Sequence, residues 1–271
     1  MKIFRSRDRV DTRPPVGSPL HLANTLFREG QYAAAEAEAR TVAARHVRYA
    51  PPALSLVAAA LGAQGRHGEA LAEYDALLPV FGREYGAEHW LTLQLRSNRA
   101  QTLITLGRHV ESEVECAAVA RAASRGTGPA MQVLAGAARN GQIYAVNAQG
   151  RHEEAEALAR DALAAPDSPN RLTLVLRLGL ARSLNGQARH DEAFTEAQHA
   201  EELHRSLSAD QRRPEAGAVE LAMATALVGL GRGAEARPLV VVARDACVAA
   251  FGPDHYRVAE ARALLDRIDG A

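Results

Sequence analysis

The stretch NAQGRHEEAEALARDAL, from Asn147 to Leu163, decides the fold because its central pattern returns along the chain. Related stretches are AQGRHGEALAEYDAL from Ala63, TLGRHVESEVECAAV from Thr105 and GQARHDEAFTEAQHA from Gly186. In each of them a turn residue is followed by Arg-His and then by a small residue. Such self-similarity at a long period is typical of helical repeats, so the chain is predicted to consist of repeated units.

Six copies emerge when the turn residues are aligned. These residues are Gly30, Gly65, Gly107, Gly150, Ala188 and Gly231, separated by 35, 42, 43, 38 and 43 residues. Apolar residues three and four positions apart precede each turn, and a second such stretch follows it, which predicts a pair of antiparallel helices. Glycine ends the first helix because it adopts a left-handed conformation without a Cβ clash.

Small residues recur at two places in each unit. The first place lies five positions after the turn residue and is occupied by Ala35, Ala70, Ser112, Ala155, Ala193 and Ala236. The second place lies twelve positions before the first and is occupied by Ala23, Ala58, Ala100, Ile143, Ala181 and Ala224, of which only Ile143 is large. Small residues on facing helices let the backbones approach closely, so we expect six tightly packed helical hairpins.

This pattern resembles the tetratricopeptide repeat, a helix-turn-helix unit of about 34 residues. The resemblance covers residues 18–269, and the connectors FGREYGAEHWLTL and FGPDHYRVAEA resemble linkers of the kinesin-light-chain-like subclass. It implies an all-α, right-handed α-solenoid of about six hairpins. The stretch HYRVAEARALLDRI, residues 255–268, is predicted to be a C-terminal capping helix, because a solenoid otherwise exposes its core at the end.

Composition restricts the class of protein. The chain has 32 basic and 32 acidic side chains, so it lacks the positive field that drives phosphate binding, and we expect no nucleic-acid partner. We recognise neither a secretory signal nor an apolar stretch of membrane-spanning length, and we therefore expect a cytoplasmic protein that does not contact a membrane. The two cysteines are not closely spaced, which fits a reducing compartment.

The first residues of the chain and its content of lysine, arginine and alanine give two further expectations. Residues 1–17 combine five basic side chains with prolines and are predicted to form a disordered basic arm, followed by a repeat domain over residues 18–271. Lys2 is the only lysine, whereas arginine and alanine are abundant. This bias is typical of GC-rich coding, as in actinobacteria.

The ten histidines do not predict a metal or catalytic site. Four of them, His67, His109, His152 and His190, occupy the same place after a turn, so they are expected to serve the repeat. Metal ligands on one helix face lie four positions apart, and no phosphate loop or nucleophile elbow occurs. We therefore predict a non-enzymatic protein without cofactor, metal or catalytic residue.

The resemblance implies that the first helix of each unit lines a concave groove. Asn98, in RSNRA, resembles the asparagine with which related proteins bind a peptide backbone, since an amide donates and accepts at once. Tyr144 and Phe27 would add apolar contact, and Arg182 with Arg139 would take a carboxylate. The predicted groove residues are Asn24, Phe27, Asn98, Gln101, Arg139, Asn140, Tyr144, Asn147, Arg182 and Asn185.

The predicted function is a binding scaffold that holds a peptide or a segment of a partner protein. The alternative is an accessory or sensory protein of a regulatory or specialised-metabolism system, with a small molecule between apolar walls. Those walls would be Leu20, Phe27, Ile104 and Leu178. A homo-oligomer is also possible, in which the apolar stretches EYDALLPVF and RPLVVVARDACVAAF would form the contact between copies of the chain.

The predicted register gives a first test. Ala155→Arg forces a long side chain into a close helix contact and should lower the free energy of unfolding by at least about 1–3 kcal/mol. Thermal denaturation followed by circular dichroism measures the effect. An unchanged melting temperature would contradict the register.

Overall fold

The computed structural model describes residues 18–164, 171–253 and 255–270, so the predicted arm, residues 1–17, lies outside the described residues. The described residues form helices and no β-strand. The helices are α1 (His21–Arg28), α2 (Tyr32–Arg45), α3 (Ala50–Ala63), α4 (His67–Glu84), α5 (Trp90–Thr105), α6 (His109–Arg125), α7 (Pro129–Ala148), α8 (His152–Leu163), α9 (Arg171–Gly186), α10 (His190–Ser206), α11 (Ala209–Arg212), α12 (Ala218–Gly229), α13 (Gly233–Phe251) and α14 (Tyr256–Asp269). Two 3-10 turns, Val47–Tyr49 and Arg213–Glu215, lie between them.

The chain divides into two compact units. Among the described residues, the first contains those up to Leu106 together with Ala118–Ala135, and the second contains Gly107–Ala117 together with those from Gly136 onward. In the first unit α1 packs on α2 and α3 on α4. In the second, α9 packs on α10, α12 on α13, and α14 on α13, so the predicted capping helix is confirmed.

The six turn residues separate the helices in the predicted order. The five glycines have φ between 72° and 80°, and Ala188 is the only described non-glycine residue with positive φ, at 59°. In each hairpin the first helix ends two residues before the turn residue, and the second begins two residues after it. The all-α helical-repeat fold is therefore confirmed, with the short α11 and the two 3-10 turns as additions that the periodicity did not predict.

The small residues that recur in the repeats are completely buried. All six after the turns are 0% exposed, as are five of the six that precede them. Ile143, the exception, is 1% exposed and faces Gly179 of α9, where an added Cβ would lie 3.1 Å from the isoleucine methyl group. A glycine on the neighbouring helix thus gives the larger side chain room.

Two of the recurring histidines pack against glycines of the following hairpin. A Cβ at Gly186 would lie 2.3 Å from the His152 ring, and a Cβ at Gly229 would lie 2.3 Å from the His190 ring. Any side chain at these glycines would therefore displace a histidine. The rings fill the space between consecutive hairpins, which gives these two repeated histidines a structural role.

Polar side chains join neighbouring hairpins at three of the turns. Gln187 and Arg189, which flank the turn residue Ala188, donate to Glu156 of α8 at 2.7 and 2.8 Å. Arg189 also donates to Glu192 at 2.6 Å, because a guanidinium group has enough N–H groups to bridge two carboxylates. We call this arrangement of glutamine, arginine and the preceding glutamate the turn cluster.

The turn cluster occurs twice more. Its other members are Gln64, Arg66 and Glu36 in the first unit and Gln149, Arg151 and Glu113 in the second, with N–O distances of 2.7–2.8 Å. Each cluster bonds the turn of one hairpin to the second helix of the hairpin before it. The side chains of Glu36 and Glu156 are only 12% and 13% exposed.

The sequence contained a signal for the turn cluster that the helical pattern did not use. Glutamine precedes the turn residue only where glutamate follows the small residue of the preceding hairpin. The first turn, at Gly30, has no preceding hairpin. At Gly107 and Gly231 Leu106 and Leu230 replace the glutamine, while Leu71 and Phe194 replace the glutamate. At one of these, Arg232 lies 5.7 Å from the Phe194 ring centroid. The residue before the turn and its partner on the preceding hairpin are therefore either both polar or both apolar.

A matched control refines the test of the register. Ala157 lies on α8, two residues after Ala155, but it is exposed. Ala157→Arg should leave the melting temperature nearly unchanged, because a surface arginine keeps its head in water. Equal losses in Ala155→Arg and Ala157→Arg would point to charge or helix propensity instead of packing.

Replacement of the unusual turn alanine should stabilise the protein. Ala188→Gly relieves the left-handed strain on an L-residue and should raise the free energy of unfolding by about 1 kcal/mol. Gly150→Ala, at an equivalent turn with open space around the added Cβ, should lower it by a similar amount. Urea denaturation of the three proteins measures both changes, and changes of the same sign would refute the argument.

The turn cluster should make stability depend on pH. Burial raises the pKa of Glu156, but hydrogen bonds from Gln187, Arg160 and Arg189 outweigh it and hold the pKa below the ordinary value. Because the folded pKa is depressed, the stabilisation is present above the unfolded pKa, about 4.5, and is lost as the pH falls through the folded value.

Glu156→Ala should therefore lower the free energy of unfolding by roughly 1–3 kcal/mol at neutral pH, because the partner guanidinium loses a charged acceptor. The difference from the wild type should shrink in acid, below about pH 4. Glu153→Ala, at an exposed position of the same helix, is the control. Urea denaturation at several pH values tests this, and a pH-independent difference would count against an ionic role.

Candidate functional site

The ten predicted groove residues are distributed over both units, and each set has its own surroundings. In the first unit Asn24 donates its amide to the carbonyl oxygen of Leu20 on its own helix, at 2.8 Å. Phe27 packs edge-on against Tyr32, with ring centroids 5.3 Å apart. Both side chains are half-buried and take part in local contacts within the first hairpin.

Asn98 of the first unit is tied to its surroundings through both ends of its amide. Its Oδ1 accepts from Gln94 Nε2 at 2.9 Å, and the amide shares a hydrogen bond with the Tyr74 hydroxyl. Burial raises the pKa of Tyr74 to about 12, although the bond to Asn98 lowers it in part. Gln101, one turn along α5, is exposed.

In the second unit Asn147 departs from the predicted surface position, since it is only 4% exposed. Its Nδ2 donates to Ser183 Oγ of α9 at 2.9 Å, and its Oδ1 lies 3.1 Å from His152 Nδ1. Asn185 makes the equivalent pair with His190 at 3.1 Å. These two asparagines orient the histidines between the hairpins, because the following first helix packs over this part of the repeat.

Two other predicted residues of the second unit, Tyr144 and Arg182, meet two side chains of the capping helix. The Arg182 guanidinium of α9 lies over the Tyr144 ring of α7, 4.6 Å from its centroid. The Tyr256 ring of α14 is 6.5 Å from that of Tyr144 at an interplanar angle of 78°, and Glu260 Oε1 is 3.7 Å from Arg182 Nη2. We call the surface formed by Asn140, Tyr144, Arg182, Tyr256 and Glu260 the Tyr144 face.

Several polar groups of the Tyr144 face have no hydrogen-bond partner among the described residues. These are the amide of Asn140, half-buried one turn before Tyr144, and the guanidinium of Arg182, whose side chain is 44% exposed. His109 Nδ1, whose ring is 6.4 Å from that of Tyr144, is buried and likewise unpartnered within the described ranges. Donors and acceptors are therefore available beside an aromatic ring.

The start of α14 is held by buried charges. Arg257 donates to Glu215 at 3.1 Å, and Arg171 donates to the other oxygen of this 4%-exposed glutamate at 2.6 Å. His255 caps the helix, with Nδ1 accepting from the Arg257 backbone at 3.4 Å. Burial and the nearby Arg257 lower the pKa of His255 to about 4, so the ring stays neutral and can accept. Tyr256 and Glu260 are thereby fixed beside α7 and α9.

The sequence prediction missed Tyr256 and Glu260, because it assigned the last helix only to covering the core. Burial raises the pKa of Tyr144 despite the neighbouring Arg182, so its phenol remains a hydrogen-bond donor. Arg139, also predicted, is exposed on α7. Of the six predicted residues in this unit, Asn140, Tyr144 and Arg182 thus share a face, whereas Asn147 is buried between hairpins.

The described residues contain no group of three or more His, Cys, Asp or Glu side chains that could hold a metal ion. No helix within the described ranges has the length and apolar character needed to cross a membrane. The described polar clusters consist instead of ion pairs and of hydrogen bonds from side-chain amides, as in the turn cluster.

Comparison with known families supports the repeat assignment directly. The family model of the tetratricopeptide repeat matches residues 20–41, 51–76 and 136–161. Within these three ranges the chain is similar to the tetratricopeptide repeat. The matched ranges fall in the α1–α2, α3–α4 and α7–α8 regions. No curated protein sequence matches the chain.

Many solved structures have a similar fold. Three of them are PlcR of Bacillus thuringiensis in complex with the peptide PapR7 and DNA (15% identity, TM-score 0.60, 80% of this chain and 74% of that chain); a tetratricopeptide repeat protein of Parabacteroides merdae (13%, 0.56, 94% and 92%); and a Rap protein complexed with competence and sporulation factor (12%, 0.60, 93% and 74%). At these identities the similarity shows the fold alone.

Proposed function

We propose that the protein is a non-enzymatic scaffold that holds a peptide or a segment of a partner protein on the Tyr144 face. The observation that carries this proposal is the convergence of three groups from α7 and α9. The Asn140 amide and the Arg182 guanidinium have no hydrogen-bond partner among the described residues, and the half-buried Tyr144 ring lies beside them. Most polar side chains at the hairpin junctions are hydrogen-bonded. Available groups on one face are where recognition is normally built.

The three groups suit an extended chain. The Asn140 amide donates and accepts at once, so it pairs with a peptide unit irrespective of the ligand's side chain. The Tyr144 ring offers apolar contact area at low entropic cost. The Arg182 guanidinium, already stacked on that ring, keeps its N–H edge for an acceptor of the ligand.

Proteins with a similar fold supply precedent. PlcR was solved with the peptide PapR7 and Rap with competence and sporulation factor, which makes a peptide or protein ligand our preferred proposal. The first-unit residues Asn24, Phe27, Asn98 and Gln101 remain a second proposed contact surface, as does Arg139. The kinesin-light-chain-like subclass, the cytoplasmic location and the actinobacterial origin remain predictions from the sequence.

The small-molecule alternative receives less support, because it needs free apolar walls. Leu20 is 8% exposed and packs with Val42 and Ala53. Leu178 packs against the buried cluster that contains Leu174. Apolar side chains already used in packing offer little surface to a ligand.

Selection of random short peptides displayed on phage tests the proposal. The wild type is compared with Asn140→Ala/Tyr144→Ala and with a matched first-unit variant, Asn98→Ala/Gln101→Ala. Peptides selected on the wild type should bind the second-unit variant at least about tenfold more weakly in calorimetry, as is typical of the loss of an aromatic anchor.

Circular dichroism must first show that each variant melts near the wild type. Loss of binding only in the first-unit variant would move the site to Asn98 and Gln101. Equal binding by all three proteins would refute both surfaces.

A further inference from the structure

The Arg182–Glu260 pair is incomplete in comparison with other ion pairs of the chain. Its N–O distance of 3.7 Å is too long for a hydrogen bond, whereas Arg189 lies 2.6–2.8 Å from its two carboxylates. Both side chains are accessible, with 44% and 41% exposure. Glu260 therefore neutralises Arg182 from a distance and leaves its N–H groups unused.

The charges around the Tyr144 face are balanced, and Arg182 is the loosely paired one. Arg171 and Arg257 share the carboxylate of Glu215, Arg182 faces Glu260, and Glu220 acts together with Glu260 and Arg257 on the thiol of Cys247. A ligand carboxylate therefore gains an attractive partner at Arg182 only if Glu260 moves away.

The geometry of Arg182 selects the kind of anion. The Cζ atom of its guanidinium lies 4.6 Å from the Tyr144 ring centroid, and its N–H groups donate no hydrogen bond to a described residue. A planar carboxylate matches the edge of a guanidinium with two parallel hydrogen bonds of about 2.7–2.9 Å. Glu260 is attached to α14 and remains at 3.7 Å, whereas a free ligand can move to the shorter distance.

We propose that the bound segment presents a carboxylate to Arg182, and that Glu260 of the capping helix is a resident competitor that this carboxylate displaces. The proposal rests on the proposed function and adds the charge class of the ligand and a second role for α14. Glu260 sets specificity, because a ligand must outcompete it with better geometry. A neutral segment leaves the Arg182–Glu260 pair in place and binds more weakly.

The test uses fluorescein-labelled pools of short random peptides that differ only in one fixed position, occupied by Glu, Gln or Arg. Dissociation constants are measured by fluorescence anisotropy for the full chain and for Arg182→Gln, Arg182→Lys and Glu260→Gln. Glu153→Gln, at an exposed position of α8 with no ion pair among the described residues, changes the net charge equally and is the matched control.

The Glu-fixed pool should bind the wild type best. Its affinity should increase about threefold in Glu260→Gln, as expected for removal of an exposed ionic competitor, and should not change in Glu153→Gln. It should fall about tenfold or more in Arg182→Gln, with partial rescue in Arg182→Lys, which keeps the charge but not the paired donors. High salt should reduce the difference between the Glu-fixed and Gln-fixed pools.

Two results would overturn the inference while leaving the proposed function intact. In one, the Arg-fixed pool binds best and is weakened by Glu260→Gln. In the other, Asn140→Ala/Tyr144→Ala abolishes binding but Arg182→Gln and Glu260→Gln match the wild type. If no pool binds the wild type better than Asn140→Ala/Tyr144→Ala, the proposed function fails and the inference fails with it.

Discussion

The close approach of helix backbones at the small residues is the constraint on which the rest of the structure depends. Ala155, Ala193 and their equivalents are completely buried, so these positions have no space for a larger side chain. Where Ile143 replaces a small residue, Gly179 of the neighbouring helix compensates. Because the small residues fix the spacing of the helices within a hairpin, equivalent residues of different hairpins have similar surroundings. The recurring histidines and turn clusters are examples.

The junctions between hairpins use two kinds of chemistry. At three turns a half-buried glutamate is bonded by a glutamine and an arginine of the following hairpin, as at Glu156. At one other an arginine lies over an aromatic ring. A half-buried carboxylate is costly unless it is paired, and so the glutamate occurs only together with its glutamine partner.

The Tyr144 face contrasts with these junctions because its polar groups are not fully paired. Asn147 and Asn140 lie two helical turns apart on α7, yet Asn147 is bonded between hairpins and Asn140 is unpartnered among the described residues. Asn147 therefore contributes to packing, whereas Asn140 remains available. The capping helix contributes to the core and to the Tyr144 face. Its buried side covers α12 and α13, while Tyr256 and Glu260 reach Tyr144 and Arg182.

The sequence alone determined the helices, the turns and the buried small residues, because helical periodicity and the left-handed turn position are local properties of the chain. It also predicted Asn140, Tyr144 and Arg182 as groove residues, since repeat alignment places Tyr144 and Arg182 at the same repeat position and Asn140 one helical turn before Tyr144. Only the tertiary structure decided that Asn147 is buried, that Asn98 is tied to Tyr74, and that α14 brings Glu260 to Arg182. Those outcomes depend on contacts between residues far apart in sequence, which no local pattern specifies.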